Sequence, residues 1–277
     1  KVYLAFNLFA HDHEYENMSR VSEVINYLSP DALIVSDAGI LMYVREHHPE
    51  IPIHISTQAN ICSARTVKFW QNAGAKLCVL AREVSHSEFK NIRKECPDVG
   101  LEIFVHGAMC MSYSGRCLLS NFVTGRPANR GACAQLCRWK YDVILRERES
   151  GLEMPIDEDE RGAYIMNSRD LCLMPRLGEV LSANPDSLKI EGRNRSEYYV
   201  GSVVHAYRCA LDAYARDPEK FNPDEFMTEL NRLETRGYTT AFFDGPVTAD
   251  AHNYETTRST SDFHAAGVIT AVDDENI

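Results

Sequence analysis

Short apolar runs alternate with amphipathic stretches along most of the chain. The apolar runs end in polar residues, and the amphipathic stretches repeat their apolar positions with the period of an α-helix. Strands are predicted at residues 1–7, 32–36, 51–56, 76–81, 101–105, 163–166 and 187–190. Helices are predicted at residues 14–28, 40–46, 64–72, 86–95, 170–181 and 197–216. Near-continuous apolar strands separated by amphipathic helices predict a parallel sheet covered by helices, hence an α/β fold.

The number of predicted strands favours one α/β architecture. Seven strands are one fewer than a TIM-like (β/α)8 barrel needs, so we expect a barrel whose first strand lies upstream of Lys1. The alternative, an open doubly wound sheet, lacks the Gly-x-Gly-x-x-Gly turn that a dinucleotide would need. The predicted barrel spans residues 1–216, with an inserted cysteine-rich region at about 107–140, and a helical and loop extension follows at 217–264. Residues 265–277 are predicted to begin a β-rich C-terminal domain that is cut off at Ile277.

Polar residues recur at one position in this pattern, just beyond the predicted strands. They are Asn7, Asp37, Gln58, Glu83, His106, Asn167 and Glu191. The active sites of β/α barrels lie at the carboxyl ends of the strands. We therefore expect these side chains to meet at one rim of the barrel and to form the site there.

A cluster of cysteines follows the strand that ends at His106. Cys110, Cys117, Cys133 and Cys137 fall within 28 positions, and Cys172 lies further downstream. In a reducing compartment such local density is more often metal or redox chemistry than disulfide bonding. The remaining cysteines occur singly and are expected to behave as small hydrophobes: Cys62, Cys78, Cys96 and Cys209.

The cysteine spacing bears on which metal is bound. Zinc fingers and ribbons usually present two tight C-x2-C pairs, and this chain has none. Gaps of six, fifteen and thirty-eight residues separate Cys110, Cys117, Cys133 and Cys172. Such gaps suit a cluster held between loops of a larger scaffold, so the residues favour [4Fe-4S] and leave zinc as the alternative.

Charge and hydropathy limit the classes of function. The formal net charge of −11 argues against a surface that binds nucleic acid throughout. Between residues 116 and 148, however, seven basic residues face two acidic ones, and such a patch would hold a phosphate backbone or an anionic small molecule. The alternative is a solvated face with ordinary ion pairs. No apolar stretch approaches eighteen residues, so we expect a soluble, cytoplasmic protein without a membrane span.

Several motifs together carry a family resemblance. They are EIFVHGAMC, YSGRCLLS, NRGACAQLCRWKY, YIMNSRDLC and SLKIEGRNRSEYY, in this order. The chain resembles the peptidase U32 family, catalogued as peptidases or collagenases. The segments MPIDEDERGAYIMNSRDL and RGYTTAFF are most similar to the branch that hydroxylates the wobble uridine of tRNA.

The resemblance implies a fold, a cofactor and a reaction. It implies a TIM-like barrel and a [4Fe-4S] cluster on Cys110, Cys117, Cys133 and Cys172, whereas some members use a cysteine at the position of Cys137. The implied reaction is oxygen-independent conversion of a tRNA uridine to 5-hydroxyuridine, with prephenate as the hydroxyl source. Related branches act on ribosomal RNA or a small molecule, and homo- or hetero-oligomers occur in the family.

Roles can be predicted for the remaining site residues. His106, Glu191 and Gln58 are candidates for proton handling and orientation, and Arg116, Arg193 and Arg126 for binding an anionic partner. Tyr113 or Trp139 would stack on a base, unless both simply pack the cysteine-rich loop onto the barrel. A peptidase has only the family label behind it, because the chain lacks H-E-x-x-H and G-x-S-x-G. A third possibility is a non-enzymatic scaffold that holds the metal for structure or electron transfer.

Overall fold

The computed structural model of the protein describes residues 1–110, 112–139, 144–146, 153–155, 168–246 and 251. Within these ranges the strands are β1 (Tyr3–Phe6), β2 (Ala32–Val35), β3 (Ile53–Ile55), β4 (Leu77–Val79), β5 (Gly100–Gly107), β6 (Ile144–Arg146), β7 (Glu153–Pro155), β8 (Asp170–Cys172), β9 (Ser187–Glu191) and β10 (Tyr238–Thr239). The α-helices are α1 (Asp12–Tyr15), α2 (Met18–Leu28), α3 (Ala38–His47), α4 (Ala64–Asn72), α5 (His86–Glu95), α6 (Leu119–Thr124), α7 (Leu177–Ser182), α8 (Glu197–Arg216) and α9 (Asp224–Leu230).

The central sheet is mostly parallel, as the sequence predicts. Strands β1, β2, β3, β4, β5 and β9 lie side by side and all run parallel. At its carboxyl end β5 also pairs with β8, which runs antiparallel to it, and β8 pairs in parallel with β10. The mixed α/β fold is therefore confirmed. Among the described residues no pairing joins β1 back to β9 or β10, so closure into a barrel stays a prediction.

Several predicted elements differ from those observed or lie outside the described residues. The helix predicted at 14–28 is divided into α1 and α2, and the helix predicted at 170–181 begins as strand β8. Strand pairing prevails there because the Leu173 amide donates to the Val105 carbonyl at 2.8 Å, and a 3-10 turn at Met174–Arg176 precedes α7. The predicted strand at 163–166 and the predicted β-rich domain at 265–277 lie outside the described residues.

The helices begin where side chains can satisfy their first amide groups. Ser85 accepts a hydrogen bond from the Glu88 amide, and Glu88 in turn binds the Ser85 amide, which completes a capping box at α5. At α4 the Ser63 side chain accepts from the Thr66 amide, and at α8 the Ser196 side chain accepts from the Tyr199 amide, so each serine caps its helix without a capping box. Both of these helices have the bounds that the hydrophobic period predicts.

The two faces of the sheet differ in polarity. One face packs under the helices through side chains that are at most 1% exposed: Leu33, Val35, Ile53, Ile55, Leu101 and Val105. The opposite face carries a polar layer in which Glu102 accepts hydrogen bonds from Lys189 at 2.7 Å and from Ser187 at 2.6 Å. Phe104 and Arg82 lie on this second face, which extends to the carboxyl ends of the strands.

The part of the chain after α8 joins the same sheet. Strand β10 pairs with β8, and α9 packs against α8. The predicted domain boundaries at 216 and 264 stay predictions. No helix within the described ranges is long and apolar enough to cross a membrane.

Candidate active site

The carboxyl ends of the parallel strands are covered by the cysteine segment, defined here as residues 108–110 and 112–139. Its Ser114 hydroxyl accepts a hydrogen bond from Arg82, which follows β4, at 2.9 Å. The Arg116 guanidinium lies 5.0 Å above the ring of Phe9, which follows β1. Further along, Arg130 forms an ion pair with Glu14. The segment is therefore fastened at several separate points to residues at and near the strand ends, and the site predicted at that rim stays a prediction.

Of the three arginines that make these contacts, Arg82 has the most deeply buried side chain. Its side chain is 7% exposed, and its guanidinium lies 3.8 Å from the centroid of the Phe104 ring. One terminal nitrogen donates to Ser114, and the other lies 3.7 Å from a Glu191 carboxylate oxygen. Cation–π stacking and a charge-assisted hydrogen bond together orient the guanidinium. Arg82 thus connects β5 and β9 to the part of the cysteine segment between Cys110 and Cys117. The sequence indicates Arg82 only as a strand-end residue, since its partners are remote in the chain.

Replacing Arg82 with methionine is expected to loosen the cysteine segment locally. Methionine keeps an apolar contact with Phe104 but loses the hydrogen bond to Ser114 and the ion pair with Glu191. A hydrogen bond to a charged group contributes about 1.5–3 kcal/mol, so amide exchange at residues 112–118 should accelerate by roughly 10- to 100-fold. Hydrogen–deuterium exchange with mass spectrometry measures this. Arg208→Met is the matched control because Arg208 forms an exposed pair with Asp212 on α8. Equal exchange in wild type and Arg82→Met would contradict the fastening role.

Gln58 lies directly beneath the cysteine segment. A Cβ atom placed on Gly115 would lie 3.2 Å from Gln58 Cδ, and Gly115 has φ +76°. Both facts favour glycine at this position. The Gln58 side-chain oxygen is buried and accepts no hydrogen bond from the described residues. Gln58 therefore has an acceptor oxygen without a partner among the described residues, and its role in orienting a bound group stays a prediction.

The other polar strand ends serve different purposes. Asp37 accepts hydrogen bonds from the amides of Gly39 and Ile40 and so caps α3, while Asn7 donates to Ser56 at 3.1 Å. Burial raises the pKa of Glu83. Glu191 interacts with Arg82 and also accepts from the Arg193 amide at 3.0 Å. Asn167 lies outside the described residues.

His106 is not at the open rim. The strand pairing between β5 and β9 shifts register between Phe104 and His106, which is the mark of a β-bulge. The imidazole is fully buried, and its ring lies 5.3 to 5.9 Å from the rings of Tyr199, Tyr207 and Tyr238. Burial lowers the pKa of His106 to about 4, so the ring is neutral at pH 7. Its predicted role in proton handling stays a prediction, and the ring lies beside α8 and β10 instead of beside Gln58.

The predicted cysteine ligands fall into two groups. Cys110 is exposed, and Cys117, Cys133 and Cys137 are half-buried on the cysteine segment. Cys172 is 2% exposed, with its sulfur 4.0 Å from the Tyr207 hydroxyl and 3.9 Å from the Met227 sulfur.

This separation limits the fit to a metal centre. Burial raises the pKa of Cys172 to about 11. Within the described ranges, no three His, Cys, Asp or Glu side chains are grouped so that they could hold a metal ion. The four thiols that the resemblance implies are therefore not assembled into one site in this structure. Among the cysteines expected to behave as hydrophobes, Cys78 and Cys96 are buried, and Cys62 and Cys209 are half-buried.

The predicted substrate-binding residues are accessible to solvent. Arg116, Arg126 and Arg193 are exposed, and an added Cβ on Gly131 would lie 3.7 Å from an Arg193 nitrogen. Tyr113 is 46% exposed, and its hydroxyl interacts with the Cys62 thiol. It therefore joins the cysteine segment to the loop before α4, while part of its ring stays accessible to solvent. Trp139 is 49% exposed.

Comparisons with known proteins give a consistent family. The model of the family described as "Peptidase family U32" matches residues 1–253. The chain is 38% identical to tRNA hydroxylation protein P of Escherichia coli (strain K12), over 95% of this chain and 66% of that protein. It is 36% identical to a collagenase of Porphyromonas gingivalis, over 86% of this chain and 59% of that protein. It is 35% identical to a 23S rRNA 5-hydroxycytidine synthase of Escherichia coli, over 77% of this chain and 31% of that protein.

The coverage of these relatives is partial. The chain spans 58 to 66% of the length of the tRNA hydroxylation proteins from Escherichia coli, Bacillus subtilis and Helicobacter pylori. The matched part nevertheless contains the whole parallel sheet and the cysteine segment.

Proposed function

We propose, since this chain belongs to peptidase family U32, that it hydroxylates RNA, with the wobble uridine of tRNA as the substrate and 5-hydroxyuridine as the product. Relatives named as tRNA hydroxylation proteins match 88 to 98% of the chain at 38% identity, and an rRNA hydroxycytidine synthase matches 77%. One structural observation carries the proposal: the arginine-bearing cysteine segment is fastened over the strand-end face of the sheet by Arg82. That arrangement suits a reaction at the rim of a TIM-like barrel, whose closure is part of the proposal.

A [4Fe-4S] cluster is the cofactor that we propose. Cys110, Cys117 and Cys133 are accessible thiols of one segment, and they would have to come together from their separate positions in this structure to hold such a cluster. A fourth ligand requires either that Cys172 leaves its contacts with Tyr207 and Met227 or that Cys137 takes its place. The bound cluster would supply the redox or electrophilic centre that hydroxylation without oxygen needs.

The protein's own residues have distinct tasks in this proposal. Prephenate as hydroxyl source is a dicarboxylate, and the exposed guanidinium group of Arg193 suits one of its carboxylates, while those of Arg116 and Arg126 suit an anionic group of either substrate, a carboxylate or an RNA phosphate. The free oxygen of Gln58 would accept a hydrogen bond from a hydroxyl or base of the bound molecules. Glu191, held between Arg82 and the Arg193 amide, would orient the guanidinium of Arg82 and accept a proton at its carboxylate.

The reaction is tested by deleting the gene in the organism that carries it. The 5-hydroxyuridine-derived wobble modification should disappear from tRNA, as measured by mass spectrometry of nucleosides. Wild type and Cys62→Ala should restore it, whereas Cys117→Ala should lower the modified fraction at least about 100-fold, because loss of a ligand removes the cofactor. Unchanged tRNA nucleosides after deletion would defeat the proposal.

The cofactor is tested on anaerobically purified protein. We expect a broad visible absorption band and about four irons per chain. Separate replacement of Cys172 and Cys137 identifies the fourth ligand by which variant loses iron. A colourless protein with one zinc would remove the redox mechanism and favour a structural metal.

A peptidase is the second candidate because of the family description and the collagenase relative. It would cleave gelatin, and the cleavage would survive Cys117→Ala. The deletion strain would then keep its tRNA nucleosides unchanged, so the two functions predict opposite results in the same pair of assays.

A further inference from the structure

The charge of the cysteine segment differs from that of the rest of the chain. Residues 103–139 contain four arginines and no aspartate or glutamate, although the whole chain has a net charge of −11. One of these arginines, Arg130, is neutralised by its ion pair with Glu14. Arg116 and Arg126 are exposed. The segment therefore carries exposed positive charge without any acidic residue of its own, on a chain that is acidic as a whole.

Exposed apolar side chains lie between these two arginines. Leu118 is 78% exposed, Phe122 is 87% exposed and Val123 is 55% exposed. Leu118 immediately precedes α6, and the other two belong to it. A phenylalanine that is 87% exposed, beside other exposed apolar side chains, forms an apolar surface patch, and such patches mark binding sites.

The helix that presents Phe122 is held firmly from beneath. Ser120 is 2% exposed; its hydroxyl donates to the Arg126 carbonyl at 2.6 Å and accepts from the Ala134 amide at 2.9 Å. The Thr124 hydroxyl donates to the Ser120 carbonyl at 2.7 Å, and Gly125 ends the helix with φ +68°. The exposed side chains thus stand on a fixed base, which lowers the entropy that binding would cost.

We propose that Arg116, Leu118, Phe122, Val123 and Arg126, together named the α6 surface, bind the single-stranded loop of the RNA substrate. This inference rests on the proposed function and specifies where the RNA lies. A phenylalanine face stacks on any unpaired base, and the flanking guanidinium groups pair with phosphates. Residues 103–139 contain no acidic residue, so this segment does not repel a polyanion. Binding of an apolar protein partner would not require such an excess of positive charge, and RNA is therefore favoured as the occupant.

The test measures binding of a short anticodon stem–loop RNA with uridine at the wobble position, by fluorescence anisotropy under anaerobic conditions. Phe122→Ala should raise Kd about 5- to 100-fold, because stacking on one base contributes about 1–3 kcal/mol. Phe122→Trp should keep wild-type affinity. Arg126→Gln should weaken binding and lower the slope of log K against log salt by about 1, the loss of one phosphate contact.

Tyr27→Ala is the matched control. Tyr27 is also an aromatic residue, 88% exposed, but it lies near the end of α2, next to the start of β2 and thus at the opposite end of the strands. This variant should bind RNA as wild type does. Equal Kd for wild type and Phe122→Ala would overturn the proposal, as would failure of wild type to bind the RNA. A change of oligomeric state in Phe122→Ala, seen by sedimentation with unchanged RNA affinity, would identify the α6 surface as a protein interface instead.

Binding and chemistry fail separately in this design. If wild type binds the stem–loop through Phe122 but tRNA nucleosides do not depend on the gene, the α6 surface is confirmed as an RNA-binding site and the proposed reaction is wrong. If hydroxylation depends on the gene while Phe122→Ala leaves both Kd and hydroxylation unchanged, the proposed reaction is confirmed and the α6 surface is not the RNA-binding site.

Discussion

Asp170→Ala is expected to lower the free energy of unfolding by about 3–5 kcal/mol, because it would leave buried arginines without their carboxylate. Asp170 is fully buried in β8, where it binds Arg236 at 2.9 Å and also forms an ion pair with Arg195. The Arg236 side chain is 2% exposed and that of Arg195 is 15% exposed, so solvent can replace little of what the carboxylate supplies. Denaturant unfolding followed by circular dichroism measures the loss.

The control for this prediction is Asp212→Ala. Asp212 pairs with Arg208 one turn away on α8, and both side chains are more than half exposed. Such a pair contributes less than about 1 kcal/mol, so the control should unfold close to wild type. A loss below about 1 kcal/mol for Asp170→Ala would show that the buried pair is not needed to hold β8 between β5 and β10.

His106→Phe is expected to remove a pH dependence of stability. Burial lowers the pKa of His106 to about 4, with Asp170 opposing that shift and Arg195 adding to it, while an unfolded histidine has a pKa of about 6.5. Above about pH 6.5 neither state is protonated, so this contribution to stability is fully present. As the pH falls from about 6.5 to 4, only the unfolded state takes up the proton, and about 3 kcal/mol of stability is lost.

Unfolding of wild type and His106→Phe across pH 4 to 7 isolates this effect. Phenylalanine suits the site because three tyrosine rings surround the imidazole and its two nitrogens have no hydrogen-bond partner among the described residues. The difference in unfolding free energy should therefore shift by about 3 kcal/mol over this range. His47→Phe, at an exposed helix position, should follow wild type at every pH. A constant difference for His106→Phe would mean that His106 has the same pKa in the folded and the unfolded protein, so that burial does not lower it.

Asp170 and His106 share one buried region beneath the strand-end face. Cys172, two residues after Asp170, pairs with His106 across β5 and β8. A stable β8 therefore fixes the position of Cys172, which is one of the predicted cluster ligands. In the proposed cofactor site, the folding of this region would therefore bear on whether Cys172 is the fourth ligand.

The order of strands and helices is predictable from the amino-acid sequence wherever the hydrophobic period is clear. Strands β2 to β5 and helices α4 and α8 lie where the alternation predicts them, because local propensity, caps and burial all favour the same element. The position of the cysteine segment over the strand ends also follows from sequence order, since the segment directly continues β5. The positions of Gln58 and Glu191 at the rim are predictable because Gln58 follows a predicted strand and Glu191 comes directly after another.

Which side chains meet depends on long-range contacts that become visible in the folded chain. A bulge in β5 turns His106 away from the rim, and pairing with β5 and β10 makes residues 170–172 a strand where the local pattern predicts a helix. Arg82 acquires its role from Phe104, Ser114 and Glu191, which come from three other parts of the chain. Strand register and long-range pairing depend on contacts between distant residues, and a local pattern carries no record of them.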